Sequence, residues 1–196
     1  MLIIAAPLQM FHRFRAWAAR LVLVVACLGT VATSAPRSPS VTAEYAGGWL
    51  SVSTGSPPAT RHVVVRVTIS EELEQGHLEG TLFLEATARW TPTDATRPER
   101  PWLRGALSDD FDTVGVGREV VLEPGVEQVV LPSEEVYLGS CKPTNRVCEW
   151  TGRVDFELQP GVGEGTAEVE WKVKAEMFAD NNDDLPKGFR VEVLEP

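Results

Sequence analysis

Apolar and polar residues alternate with a period of two through much of this chain. Val63, Val65, Val67 and Ile69 share one parity against His62, Val64, Arg66 and Thr68. Leu78, Leu82, Leu84, Ala86, Ala88 and Trp90 do the same against Glu79, Thr81, Glu85, Thr87 and Arg89. Cys148, Trp150, Val154, Phe156 and Leu158 oppose Arg153, Asp155 and Glu157, and Ala167, Val169, Trp171, Val173, Ala175 and Met177 oppose Glu168, Glu170, Lys172, Lys174 and Glu176. Successive side chains of a strand point to opposite faces, so each segment predicts a strand with one face buried and one in water. Shorter stretches at 45–53, 118–123, 126–131, 136–139 and 188–194 bring the expectation to eight or nine strands. Segments rich in Pro, Gly, Asn and Asp separate them, among them TGSPPAT, TPTDATRPERP and DNNDDLPKG. The one helical candidate, SEELEQGH at 70–77, is about two turns long and reads equally well as a polar loop.

One-sided strands in this number cannot lie as a single sheet in water. Two sheets must face each other or one must close into a barrel, and the expectation is an all-β, two-sheet antiparallel sandwich. Residues 118–132, REVVLEPGVEQVVLP, place a Pro-Gly turn between two strand-like runs. This resembles the strand–Pro-Gly–strand signature of bacterial extracellular immunoglobulin-like domains. The resemblance implies a Greek-key sandwich and an adhesive, spacer or carbohydrate-associated role; it extends over about 15 residues and points to no specific family.

The amino terminus has the layout of an export signal. Arg13, Arg15 and Arg20 form a basic region, Leu21 to Ala32 an apolar core, and Thr33-Ser34-Ala35 a small-residue cleavage site. The apolar stretch, about 12 residues, falls short of the roughly 20 that a spanning helix needs. Met10, just before the basic region, is an alternative start to Met1. Residues 1–35 are thus read as a signal peptide, 36–42 as a flexible Pro- and Ser-rich linker, and 43–196 as one domain. A second reading stands beside the first: Cys27, after Val24-Val25-Ala26, resembles a lipoprotein cleavage site, which would leave a lipidated Cys27 on an outer-membrane lipoprotein. The location expected either way is periplasmic, extracellular or lipid-anchored at the membrane.

Loss of the signal leaves 15 basic residues against 28 acidic ones, a formal charge of −13. That balance argues against nucleic acid or an anionic membrane surface as partner, since phosphate contacts need clustered Lys and Arg. Cys141 and Cys148 flank the turn KPTN, where Pro and Asn suit a type I turn, and an exported chain is expected to pair them as a staple on an exposed hairpin.

Candidate chemistry is sparse. His62 and His77 fit no zinc spacing, and G-x-S-x-G is absent. No cofactor is implied; calcium is the one ion considered. Asp180, Asn182 and Asp184 alternate as in the first half of an EF-hand loop, yet Leu185 stands where Gly is required, which leaves only a looser oxygen-ligand site. SDDFD, with Asp109, Asp110 and Asp112, is a weaker case of the same kind. Trp90, Trp150 and Trp171 carry core parity, whereas Trp102 is expected in a long Pro/Arg loop, either capping the sandwich or contacting a partner. The reading these features favour is an exported, non-enzymatic binding or structural module whose partner is a protein or carbohydrate. A carboxylate-dependent enzyme acting on polysaccharide and a calcium-dependent adhesion domain are the alternatives, and the oligomeric state is not read.

Overall fold

The computed structural model describes residues 39–73, 76–96, 99–109, 117–180 and 184–196. The expected signal peptide and Cys27 therefore lie outside the described residues, as do Asp110, Asp112 and Asn182. Among the described residues ten strands follow one another: β1 (Ser40–Ser53), β2 (Ala59–Thr68), β3 (Leu78–Pro92), β4 (Trp102–Asp109), β5 (Arg118–Val121), β6 (Val129–Val130), β7 (Glu134–Cys141), β8 (Val147–Leu158), β9 (Gly165–Ala179) and β10 (Arg190–Leu194). The described residues of 70–77 form bends and loop rather than helix. Among the described residues no helix is long and apolar enough to cross a membrane.

The strands form two five-stranded antiparallel sheets. Sheet A runs β1-β9-β3, with β6 and β7 both pairing with β3; sheet B runs β10-β2-β8-β4-β5. β6 lies beside Thr87 and Ala88, and β7 beside Leu78 to Leu84, so the two sit end to end along one side of β3, separated by Leu131, Pro132 and Ser133. The four long alternating segments become β2, β3, β8 and β9, and their apolar parities are buried as expected. Both sheets turn those faces into one core. Phe156 of sheet B meets Trp171 of sheet A with ring centroids 6.3 Å apart. The arrangement is sandwich-like.

Three local expectations are corrected. Trp102 opens strand β4 instead of lying in a loop. The alternation there escaped notice because Gly105 takes the place between the inward Leu103 and Leu107; a Cβ at Gly105 would come within 3.0 Å of Leu131. The strand expected at 126–131 contracts to Val129–Val130, because the segment from β5 to β6 leaves sheet B for sheet A through the turn Glu123–Val126. The cysteine staple does not sit on a hairpin within one sheet. Cys141 ends β7 in sheet A and Cys148 lies in β8 of sheet B, so their disulfide, with Cα atoms 6.2 Å apart, ties the two layers at one end. The turn between them centres on Asn145 and Arg146, both with positive φ (53° and 65°), and Thr144 and Val147 exchange two hydrogen bonds of 3.2 Å. Positive φ at both central residues is a type I′ turn, not type I.

Candidate functional site

In the β1 segment AEYAGGWLSV, Tyr45 and Trp49 share a parity while Leu50 and Val52 have the other. A regular strand cannot send all four inward. The structure resolves this with a bulge: Ala46 lies opposite Lys172 and Gly48 opposite Trp171, which leaves Gly47 as an extra residue. Both glycines are required. A Cβ on Gly47 would fall inside the Trp171 indole, and Gly48 has φ 73°. Before the bulge Tyr45 packs on Trp171, with centroids 6.0 Å apart; after it Leu50 and Val52 are buried. Trp49 is thereby turned outward and is 63% exposed. At about 25 cal/mol per Å² and roughly 200 Å² for a tryptophan, leaving it there forgoes about 3 kcal/mol of burial.

Trp49 stands at one end of a transverse row on the outer face of sheet A. Its register partner is Glu170 on β9, then Thr87 on β3, then Val130 on β6, which is 69% exposed. Three inter-strand steps span about 14 Å. The neighbouring rows are Ser51, Glu168 and Arg89 on one side and Ala46, Lys172 and Glu85 on the other. The small residues Ala46, Gly48 and Thr87 leave a trough of about 640 Å³ reaching to Val130 and Pro132, and a smaller hollow of about 310 Å³ lies between Trp49, Arg89 and Glu168.

The charges of this face are unevenly spent. Lys172 and Glu85 form an ion pair at 2.9 Å, and that bond, with the charges of Glu85 and Glu44, holds the Lys172 ammonium above the ordinary lysine range. By contrast Arg89, Glu168 and Glu170 have neither hydrogen-bond nor ion-pair side-chain partners among the described residues. Outward acids on sheet A are Glu44 on β1, Glu79 and Glu85 on β3, Glu135 on β7, and Glu168, Glu170 and Glu176 on β9, seven against the three bases Arg89, Lys172 and Lys174. Tyr137, exposed on β7, has its phenol pushed up to about 12, first by partial burial and then by the hydrogen bond and charge of Glu79 and the charge of Asp180.

The outer face of sheet B is nearly balanced. Arg66, Arg104, Arg153 and Arg190 stand among Glu119, Glu149, Asp155, Glu157 and Glu192. Its trough of about 560 Å³ includes His62, Arg104 and Asp155, and the Asp155 carboxylate accepts from Thr60 Oγ1 at 2.6 Å and from Arg153 Nε at 2.9 Å. That carboxylate is fully engaged.

The remaining sequence candidates are dispersed. Trp102 is half-buried on sheet B beside Val121, its backbone N–H donating to Gln159 Oε1 at 3.1 Å. Asp180 lies at the far end of β9, where its N–H donates to His77 O at 2.8 Å, and Asp184 is exposed. Among the described residues no three His, Cys, Asp or Glu side chains are grouped to hold a metal ion. Two features escaped the sequence reading. Trp49 was hidden by its apparent parity with Tyr45, although the Gly47-Gly48 doublet inside a strand signals a bulge. Glu134, only 4% exposed, accepts from Gly117 N at 3.0 Å and pairs with Arg118 at 3.5 Å, and nothing in its sequence context marks it as buried. Neither a family model nor a curated protein matches this chain.

Proposed function

We propose that the chain is an exported, non-enzymatic module of a bacterial envelope or its surroundings, an immunoglobulin-like Greek-key sandwich that holds a partner on the outer face of sheet A. The observation that carries this reading is Trp49. A bulge built from two glycines turns the largest side chain of β1 into water, beside a small hollow shared with Arg89 and Glu168, at a cost in burial of about 3 kcal/mol. Exposed tryptophans beside unspent polar groups are the usual anchors of protein interfaces. The Cys141–Cys148 disulfide supports an oxidising location. Binding is favoured over catalysis because Glu85 is tied to Lys172 and the unpaired Glu168 and Glu170 are exposed to water, a setting that suits electrostatic attraction better than directed proton transfer.

The test is retention. Wild-type protein and Trp49→Ala are each incubated with envelope fractions of the producing cell and sedimented. Wild type is expected to co-sediment, and the variant to lose about tenfold or more in affinity, as truncation of an interface anchor does. Equal retention of the two would remove sheet A as the contact surface.

A further inference from the structure

This inference rests on the reading that the outer face of sheet A is the contact surface. We propose that its occupant is a lysine- or arginine-bearing segment of a partner protein, with one cationic side chain seated on Trp49 beside Glu168 and Glu170. Three considerations converge on that chemistry.

The first is the segregation of charge. Sheet A shows seven acids against three bases on its outer face, while sheet B shows five against four. The negative charge of the domain thus has a direction, and a cationic partner would be drawn to one face.

The second is that the carboxylates nearest Trp49 are unspent. Glu170 is its direct cross-strand partner, Glu168 is the next outward residue along β9, and neither is paired among the described residues, whereas Glu85 and Glu176 on the same face are engaged by Lys172 and Ser40. Arg89, opposite Glu168 on β3, lines the same hollow as Trp49 but forms no ion pair with Glu168 or Glu170 among the described residues, so both carboxylates stay open to a second cation.

The third is the ring itself. An indole face attracts a cation electrostatically, tryptophan most of all, and a guanidinium or ammonium there also meets carboxylate acceptors. A polyanion would oppose the charge of the face. An apolar partner would bury the charged rows on either side of Trp49, which interface cores avoid.

The experiment titrates the full protein with a lysine octapeptide and with a glutamate octapeptide, by calorimetry at low and at raised salt. Four proteins are compared: wild type, Trp49→Ala, Glu168→Gln/Glu170→Gln, and Glu119→Gln/Glu157→Gln, which removes the same charge from sheet B. The lysine peptide is expected to bind wild type, weaken with salt, and lose about tenfold for each sheet A variant but less than about twofold for the sheet B control. Equal loss from both double variants with no effect of Trp49→Ala would mean diffuse attraction to an acidic protein and would overturn the proposal. So would failure of the lysine peptide to bind, or preference for the glutamate peptide. The envelope assay separates this from the broader reading. Retention that needs Trp49 but ignores salt and Glu168→Gln/Glu170→Gln leaves sheet A as the contact surface and sinks the basic partner, pointing to a glycan or an uncharged protein. Retention that ignores Trp49 sinks both.

Discussion

Replacement of Gly47 by alanine puts the bulge that exposes Trp49 to a quantitative test. A Cβ at this position would fall inside the indole of Trp171, which is 2% exposed and held between the rings of Tyr45 and Phe156 at 6.0 and 6.3 Å. The ring has nowhere to retreat, so either β1 moves off β9 or the indole leaves its rotamer. Overpacking of this kind costs about 1–3 kcal/mol, and the close packing puts Gly47→Ala near the upper end. Gly48→Ala is the internal comparison. Open space surrounds its would-be Cβ, but φ is 73°, so its cost is conformational, about 1–2 kcal/mol. The two mechanisms separate in a Trp171→Phe background. A smaller ring relieves the steric problem at Gly47 and does nothing for the backbone at Gly48. Urea unfolding of the four combinations for each glycine should therefore show coupling of at least about 1 kcal/mol between Gly47 and Trp171 and none beyond about 0.5 kcal/mol for Gly48. If Gly47→Ala costs the same in both backgrounds, the indole is not what demands glycine, and the account of why Trp49 faces outward fails.

Four further outcomes follow from the same structure. Cys141→Ser/Cys148→Ser should lower stability by about 2.5 kcal/mol, from the entropy of a ring of about eight residues, and a reducing agent should lower the melting temperature of wild type but not of the variant. Glu134→Gln keeps the shape of the side chain but loses the ion pair with Arg118 and weakens the bond from Gly117; a cost of about 1–3 kcal/mol is expected, with faster amide exchange at Gly117. Tyr137 has a folded pKa raised from 10.0 to about 12, so its contribution to stability is complete below about pH 10 and is lost as pH rises toward 12; tyrosinate absorbance should show the late titration, and Tyr137→Phe should flatten that loss. Trp49→Ala should cost no more than about 2 kcal/mol in urea, the worth of the third or so of the side chain that is covered; a larger loss would mark Trp49 as structural.

Parity was informative wherever a strand runs unbroken and alternates large apolar with charged residues. β3 and β9 show this best, with every inward position from Leu78 to Trp90 and from Gly165 to Ala179 buried. It was uninformative where a small residue stands in for a large one, as Gly105 does in β4, and misleading where the backbone inserts a residue. Tyr45 and Trp49 look equivalent along the chain, yet the bulge at Gly47 sends them to opposite faces. Nor does parity say which sheet a strand joins. The partnership of Cys141 and Cys148 was legible from their spacing and context, but not that their bridge spans the layers, because that depends on β7 pairing with β3 while β8 pairs with β2 and β4. The candidate site was the least legible part, since it arises from cross-strand register among residues 49, 87, 130 and 170, far apart in the chain.

The same bulge, together with the gap at Leu131–Ser133, bears on how copies of this protein behave when crowded. The two sheets have four margins: β1 is dislocated at Gly47, the β6–β7 margin is broken by Pro132, and β5 and β10 are four and five residues long. A neighbouring molecule offering a strand finds no long, flat run of amides and carbonyls against which to zip. At high local concentration, copies of the domain can then crowd together without strand-on-strand polymerisation into fibrils.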